Sequence, residues 1–197
     1  MNDLIRIYED AFDSEECQLL IDLFESRSDY HETHVHRWSK LTAYNISETH
    51  LELKLYHILH TYIEEYKKDV LVDSIQWVPD DCWEFSQLRI KRYLPDTEEF
   101  PLHVDARDKI LSNRFLAFFL YLDDNKEGET VFHLENGTFT SPCKKGNLLI
   151  FPPYWPWPHE GRKPVEKPKY ILGGYMRFKY DNYKHYSQEH ENFYGRT

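Results

Sequence analysis

RFLAFFLYL at residues 114–122, TVFHL at 130–134 and NLLIF at 147–151 are short apolar runs that decide the fold. Similar short runs occupy 83–94, 138–141 and 170–179, and turn residues separate them all. Asn136-Gly137, between two of the runs, is a dipeptide that two-residue hairpins prefer. Many short strands without intervening helices are typical of a β-sandwich or barrel. The sequence therefore predicts a mainly β core.

Two histidines and one aspartate accompany this β region and form a candidate metal site. His103 and Asp105 are two positions apart, and such residues face the same side of a strand. His159 lies far along the chain, so only folding brings it to the pair. A lone His-x-Asp triplet is usually a surface loop. With a distant histidine it is the ligand set of a non-haem Fe(II) centre that keeps coordination positions open.

The wider pattern around these residues resembles the 2-oxoglutarate and Fe(II)-dependent oxygenases, specifically the prolyl 4-hydroxylase type. The matching segments are Tyr93-Leu-Pro, His103-Val-Asp105, Arg114 through Tyr121-Leu-Asp123, Gly128-Glu-Thr-Val-Phe132, Pro142-Cys-Lys-Lys-Gly146 leading to Phe151, and His159 through Pro164-Val165 to Lys169. The resemblance covers about residues 83–179, and Ala11-Phe-Asp-Ser-Glu-Glu-Cys17 is a weaker match near the N-terminus.

The resemblance implies both a fold and a reaction. The fold is mainly β with flanking helices (α+β): a double-stranded β-helix, or jelly roll, with N-terminal helices packed on one sheet. In the reaction one oxygen atom of O2 enters 2-oxoglutarate, which becomes succinate and CO2, and the other enters a C–H bond of the substrate. Fe(II), 2-oxoglutarate and O2 are thus the implied cofactor and cosubstrates, with ascorbate as an optional further cofactor.

The resemblance also implies roles for individual residues. His103, Asp105 and His159 would bind the metal. Lys169 would bind the far carboxylate of 2-oxoglutarate, while Thr130 and Tyr93 would donate hydroxyl hydrogen bonds to the same molecule. The alternative for Lys169 is an ordinary solvated strand lysine, and Thr130 and Tyr93 could equally be ordinary strand positions.

The substrate side departs from the family pattern. Arg114 matches a family arginine that faces the peptide, whereas Tyr175 replaces a tryptophan, Arg177 a common histidine and Phe100 a tyrosine. Even offsets from Lys169 place Tyr175 and Arg177 on the same strand face, so we expect them with Arg114 at the substrate mouth. Ordinary packing is the alternative for all four residues.

The leading functional hypothesis is hydroxylation of a prolyl residue in a peptide or protein, or of free proline. One alternative is the same chemistry on another amino acid or small metabolite. Another is a non-catalytic jelly-roll module that has kept its metal. The formal net charge of −10 argues against nucleic acid or an anionic membrane surface as partner.

Length and composition predict one domain over 1–197, with helical support in 1–80, the core in 83–180 and a polar tail in 181–197. No secretory pattern opens the sequence, and no apolar run is long enough to span a membrane. The three separated cysteines are expected to be free thiols in a reducing compartment, which favours a cytoplasmic protein.

The N-terminal segments predict a short strand in 3–8 and two helices. Asp13 and Glu16 form a candidate capping box for a helix to about Ser26, and Ser47 is a candidate cap for an amphipathic helix over 51–66. The three histidines of 29–38 could bind a metal, but a solvated loop or edge strand is favoured. The proline-rich segment 151–158 is interpreted as a stiff connector to His159; a polyproline II ligand is the alternative.

Overall fold

The computed structural model describes residues 4–36, 39–70 and 82–179, which form two antiparallel sheets and two α-helices. The helices are α1 (Ser14–Ser26) and α2 (Thr49–Asp69), and Ser28–Tyr30 forms one 3₁₀ turn. The strands are β1 (Arg6–Tyr8), β2 (Glu32–His36), β3 (Ser39–Asn45), β4 (Trp83–Phe85), β5 (Arg89–Tyr93), β6 (Phe100–His103), β7 (Arg114–Tyr121), β8 (Thr130–Leu134), β9 (Gly137–Ser141), β10 (Leu148–Phe151), β11 (His159–Gly161) and β12 (Lys169–Phe178).

The larger, eight-stranded sheet has the order β1-β10-β7-β12-β5-β3-β2, and β4 also pairs with β12. The smaller sheet has the order β6-β11-β8-β9. Neighbours in both sheets are mostly distant in sequence, so the order is set by long-range pairing. The prediction of a mainly β fold with N-terminal helices is confirmed, and the strand pairing in both sheets is antiparallel.

Alternation along the strands separates two apolar layers. On the outer face of the larger sheet, side chains pack against both helices; this layer includes Phe24, Leu59, Ile63, Ile90, Phe118 and Leu172. On the inner face, side chains meet the smaller sheet; this layer includes Ala117, Phe119, Tyr121, Phe132, Phe151 and Ile171. Residues 116 to 121 of β7 alternate strictly between the two layers, as the period of a strand requires.

The first helix begins as predicted. The Asp13 carboxylate accepts a hydrogen bond from the Glu16 amide at 2.8 Å, and the Glu16 carboxylate accepts one from the Asp13 amide at 3.2 Å. For the second helix the predicted cap was wrong by one residue, because Glu48 occupies the cap position without a side-chain capping bond. Its carboxylate instead accepts the Tyr44 hydroxyl and pairs with Arg27.

The predicted strands are found with small shifts at their ends, and 83–94 is divided into β4 and β5. The hairpin between β8 and β9 is also present, but Leu134 pairs with Gly137, so its turn residues are Glu135 and Asn136. Gly137 instead takes the positive φ of 121°, at the first position of β9. Sequence patterns had not indicated β6 and β11, which are only four and three residues long.

The histidine-rich segment supports the plain interpretation over a metal site. Glu32–His36 is β2, the edge strand of the larger sheet, and pairs with β3. Predictions for residues 37–38, for 71–80 and for the tail 181–197 lie outside the described residues. Neither described helix is both long and apolar enough to cross a bilayer.

Candidate metal centre

Two short paired strands bring the three candidate ligands together. His103 ends β6, His159 begins β11, and the two residues are direct partners in the antiparallel pair. Asp105 follows β6 by two positions and is 7 % exposed. His159 is 1 % exposed, so the site is open mainly on the His103 side.

The distances suit one metal ion. His103 Nε2 lies 3.5 Å from Asp105 Oδ1, and His159 Nε2 lies 3.4 Å from Asp105 Oδ2. One ligand atom from each residue lies within 4.8 Å of the others, so a single point within about 3 Å of all three exists. Bonds of roughly 2.0–2.2 Å from nitrogen and oxygen to a metal need only small inward movements from there.

Backbone carbonyls orient both imidazole rings. His103 Nδ1 lies 2.8 Å from the Pro101 carbonyl oxygen, and His159 Nδ1 lies 3.0 Å from that of Trp157. A proton held on Nδ1 leaves the Nε2 lone pair free for a metal, the usual arrangement around metal-bound histidines. His159 Nε2 and Asp105 Oδ2 are both buried without a hydrogen-bond partner. Unsatisfied buried atoms of this kind are costly, and a bound cation would satisfy both.

The proline-rich connector takes part in this arrangement. Trp157 supplies the carbonyl that orients His159, and the Pro153 carbonyl accepts the Ala106 amide at 3.0 Å, beside Asp105. These contacts support the interpretation of 151–158 as a connector that positions His159.

Asp105 is surrounded by groups that favour its charged form. Burial acts to raise the pKa of its carboxyl, but the adjacent His103 and His159 outweigh burial and hold that pKa well below its ordinary value. The Tyr175 hydroxyl donates a hydrogen bond to Asp105 Oδ1 at 2.8 Å. The Arg114 guanidinium lies over the Tyr175 ring, 4.0 Å from its centre.

A narrow pocket of about 40 Å³ is lined by the three candidate ligands and by Lys169. Lys169 is 2 % exposed, and its amine donates to the Gly128 carbonyl at 2.6 Å. Within the described ranges no carboxylate reaches ion-pair distance of this amine, and burial lowers its pKa. Lys169 is therefore no solvated strand lysine, and a buried cation without a counter-ion is a site for an anion.

Tyr93 and Thr130, the two predicted hydroxyl donors, also line this pocket. The Lys169 amine lies 5.2 Å from the centre of the Tyr93 ring. Thr130 Oγ1 lies 2.8 Å from the Tyr121 hydroxyl. Gly161 also lines the pocket, and a Cβ there would lie in ordinary contact with the Lys169 amine, at 3.6 Å.

A wide cleft of about 680 Å³ adjoins the narrow pocket, and His103 and Asp105 line both cavities. Arg114, Tyr175 and Arg177, the predicted substrate residues, all line it. Arg177 pairs with Glu84 at 2.8 Å on its rim, while Tyr175 reaches inward to Asp105. The structure thus brings the three residues to one cleft, and it gives Tyr175 a contact to the ligand set that sequence reasoning did not anticipate.

Lys91 is the side chain that sequence reasoning missed. It lines both the narrow pocket and the wide cleft, at the place where they join. A signal for it existed: Lys91 precedes Tyr93 by two positions on β5, so strand alternation places both on the inner face.

Residues 88–177 match the family model described as the 2OG-Fe(II) oxygenase superfamily. The matched region is 90 of the 197 residues and contains His103, Asp105, His159 and Lys169. Together with the candidate ligand cluster, this match confirms the predicted enzyme class, a 2-oxoglutarate-dependent oxygenase, and its cofactor and cosubstrates, Fe(II), 2-oxoglutarate and O2. No curated protein sequence matches the chain.

Solved structures share the fold of the oxygenase at low sequence identity. Viral collagen prolyl hydroxylase from Paramecium bursaria Chlorella virus-1, in complex with 2-oxoglutarate, has a TM-score of 0.64 at 17 % identity, over 88 % of this chain and 95 % of that one. A Pseudomonas putida prolyl-4-hydroxylase has a TM-score of 0.65 at 15 % identity, over 89 % and 92 %. A Trichoplax adhaerens prolyl hydroxylase, bound to a hypoxia inducible factor peptide, has a TM-score of 0.64 at 15 % identity, over 89 % and 84 %.

Proposed function

We propose that this dioxygenase hydroxylates a prolyl residue in a peptide or protein, or free proline. The observation that carries the proposal is the position of the three candidate metal ligands. They lie where a narrow pocket, lined by the buried cation Lys169, meets a wide cleft. The three similar structures are named as prolyl hydroxylases, and one is bound to a peptide, which supports a substrate of that kind.

His103, Asp105 and His159 would hold the metal. When bound, Fe(II), 2-oxoglutarate and O2 would supply the oxidative chemistry, in which one oxygen atom of O2 enters succinate, released with CO2, and the other enters a C–H bond of the substrate. The backbone carbonyls of Pro101 and Trp157 keep each Nε2 lone pair directed to one point. Three protein ligands leave positions for cosubstrate and oxygen, which a closed four-ligand site would not.

Lys169 would bind the far carboxylate of 2-oxoglutarate in the narrow pocket. A charge-assisted hydrogen bond there is stronger than a neutral one, and burial excludes competing water. Thr130 and Tyr93 would add hydroxyl hydrogen bonds to the same molecule. Arg114, Tyr175 and Arg177 would contact the substrate in the cleft; Tyr175 would also orient Asp105 through its hydroxyl.

Three broader features belong to the same proposal. The facing sheets with long-range strand order support a double-stranded β-helix. The apolar layers join N-terminal helices and C-terminal strands, which supports one domain over 1–197. The free, buried thiols of Cys17 and Cys143 support a reducing, cytoplasmic location.

The test is succinate formation from 2-oxoglutarate, with Fe(II) and ascorbate, in the presence and absence of a proline-rich peptide or free proline. Stimulated succinate formation together with a 16 Da mass increase on proline is the expected result. The same stimulation by another amino acid, with proline inert, would replace the proposed substrate. Asp105→Ala provides the inactive control.

A further inference from the structure

The wide cleft is strongly cationic although the protein is acidic. Its lining includes Arg89, Lys91, Arg107, Arg114 and Arg177. Among the described residues that line it, Asp105 is the sole carboxylate, and Asp105 is one of the three candidate metal ligands. The chain as a whole has a formal net charge of −10. A concave cationic region in an acidic protein concentrates anions at that place.

The five cations differ in how far the protein already uses them. Arg89 donates to the Asn45 side chain at 2.6 Å, Arg177 pairs with Glu84, and Arg107 lies 3.6 Å from Asp108. The Arg114 guanidinium stacks on the Tyr175 ring, which leaves its N–H edge available in the cleft. Arg114 and Lys91 are therefore the two charges placed to serve a ligand.

Lys91 occupies an unfavourable position for a cation, on the inner face of β5. Its amine lies 5.4 Å from the centre of the Phe119 ring, between the two cavities. In the part of the chain that the structure describes, Asp105 is the one carboxylate that acts on its charge, and burial lowers the pKa of Lys91 to about 8. An apolar residue would pack at this inner position without that cost, so a purely structural role does not explain the lysine.

We propose that the cleft selects substrates with a carboxylate close to the carbon that is hydroxylated, and that Lys91 and Arg114 bind this carboxylate. The inference rests on the proposed function for the reaction itself and adds the substrate class. Arg114 offers the planar donor edge that suits a carboxylate, and Lys91 adds a point charge deeper in the cleft. The carboxylate could belong to an acidic side chain next to proline in a peptide or to a free amino acid.

Direct binding tests the proposal independently of turnover. Three labelled ten-residue peptides share a central proline flanked by two Glu, two Gln or two Lys on each side. Fluorescence anisotropy is measured with the full chain, Mn(II) and 2-oxoglutarate, which form a complex that does not turn over. The Glu peptide is expected to bind about tenfold or more tightly than the Gln peptide, and the Lys peptide most weakly. The preference should shrink at high salt, because screening weakens charge interactions.

The source of the carboxylate is resolved by competition. Free proline and prolinamide differ only in that group, and each is titrated against the labelled Glu peptide. Strong competition by proline with none by prolinamide identifies a free amino acid as ligand. Absence of competition by either, with the Glu preference intact, identifies an acidic peptide.

Variants separate binding from packing. Lys91→Met should lower the Glu-over-Gln preference about tenfold while the melting temperature stays the same or rises, since a desolvated amine is removed. Lys91→Arg should recover part of the preference. The matched control is Lys54→Met on α2, where the lost cation is exposed and pairs with Glu16; the preference should be intact there.

The outcomes distinguish the two proposals. Equal binding of Glu and Gln peptides, or a preference unaffected by Lys91→Met, overturns the carboxylate inference even where proline is hydroxylated. Preferential binding of the Glu peptide or of a free amino acid without proline hydroxylation keeps the inference and overturns the proposed prolyl substrate. Failure of every carboxylate ligand to bind more tightly than its neutral counterpart also overturns the inference.

Discussion

The two faces of the larger sheet are built from the same strands and serve different purposes. Along β5, Ile90 faces the helices, whereas Arg89, Lys91 and Tyr93 face the cavities. Along β12, Leu172 and Met176 face the helices, whereas Lys169 and Tyr175 face the site. Outward residues are apolar and packed, and inward residues include buried charge and hydroxyls.

The difference shows that neighbouring residues of one strand can have different roles, one in stability and the next in the functional site. Burial of the outer face drives folding through the hydrophobic effect. The inner face carries groups that are costly to bury and that a metal, a cosubstrate and a substrate would satisfy. Substitutions on the two faces should therefore separate cleanly in what they change.

The largest effect is expected from Asp105→Ala on the inner side. Loss of the one carboxylate between two histidines should lower Mn(II) affinity by about a hundredfold or more, since even partners of metal ligands are worth roughly 10–100-fold. Isothermal titration with Mn(II) measures the affinity, and circular dichroism verifies the fold. Retained Mn(II) binding would mean that the metal lies elsewhere.

The next largest effect is expected from Lys169→Met, which removes the charge and keeps a side chain of similar volume. Loss of one partner of a buried charge pair costs roughly 3–5 kcal/mol, so the 2-oxoglutarate requirement should rise by about a hundredfold or more. Mn(II) affinity should change little, which the same titration verifies. An unchanged 2-oxoglutarate KM would place the binding cation at another residue.

Ile90→Ala tests the outer face next to Lys91. Ile90 is fully buried, and removal of its side chain should lower the free energy of unfolding by about 2–5 kcal/mol. Urea unfolding measures the loss. Well below the melting temperature, the KM for 2-oxoglutarate and the peptide preference should equal those of the wild type. A shift in either would contradict the separation of stability on the outer face from binding on the inner face.

Tyr175→Phe should have an intermediate effect on the inner face. The ring and its contact with Arg114 remain, and only the hydroxyl that donates to Asp105 is lost. Metal affinity is expected to fall about tenfold, at the lower end of the range for such partners. Mn(II) titration tests this. If only substrate binding weakened, Tyr175 would act in the cleft alone.

The smallest effect is expected from Arg177→Gln at the rim. Arg177 and Glu84 are about two-fifths exposed, and such pairs are worth about 0–1 kcal/mol. Peptide affinity should fall a few-fold at most, while 2-oxoglutarate turnover without peptide stays as it was. A large fall in both activities would instead assign Arg177 to the cosubstrate site or the core.

The sequence was informative wherever a local rule applied. Periodicity located the main strands and both helices, and the Asp13–Glu16 box fixed the start of α1. The i, i+2 relation of His103 and Asp105, with one distant histidine, predicted the candidate ligand set from residue types, whereas the role predicted for Lys169 came from the resemblance to the oxygenase family. Ser47 is not the cap of α2: Glu48 takes the cap position, and the Ser47 hydroxyl lies 3.2 Å from the Tyr44 hydroxyl. The contact of Glu48 with Arg27, 21 residues away in sequence, has no signal in a local pattern.

The sequence by itself determined the features that follow from hydrophobic periodicity and from motifs. These are the β core, the helices and the residue types suited to an Fe(II) site. Tertiary structure decided the rest. It paired β6 with β11, although both are too short to show a period, and so placed His103 beside His159. It directed Tyr175 to Asp105 and left Lys91 between two cavities. The physical reason is that contacts between residues distant in sequence depend on the sheet order, which no local spacing encodes.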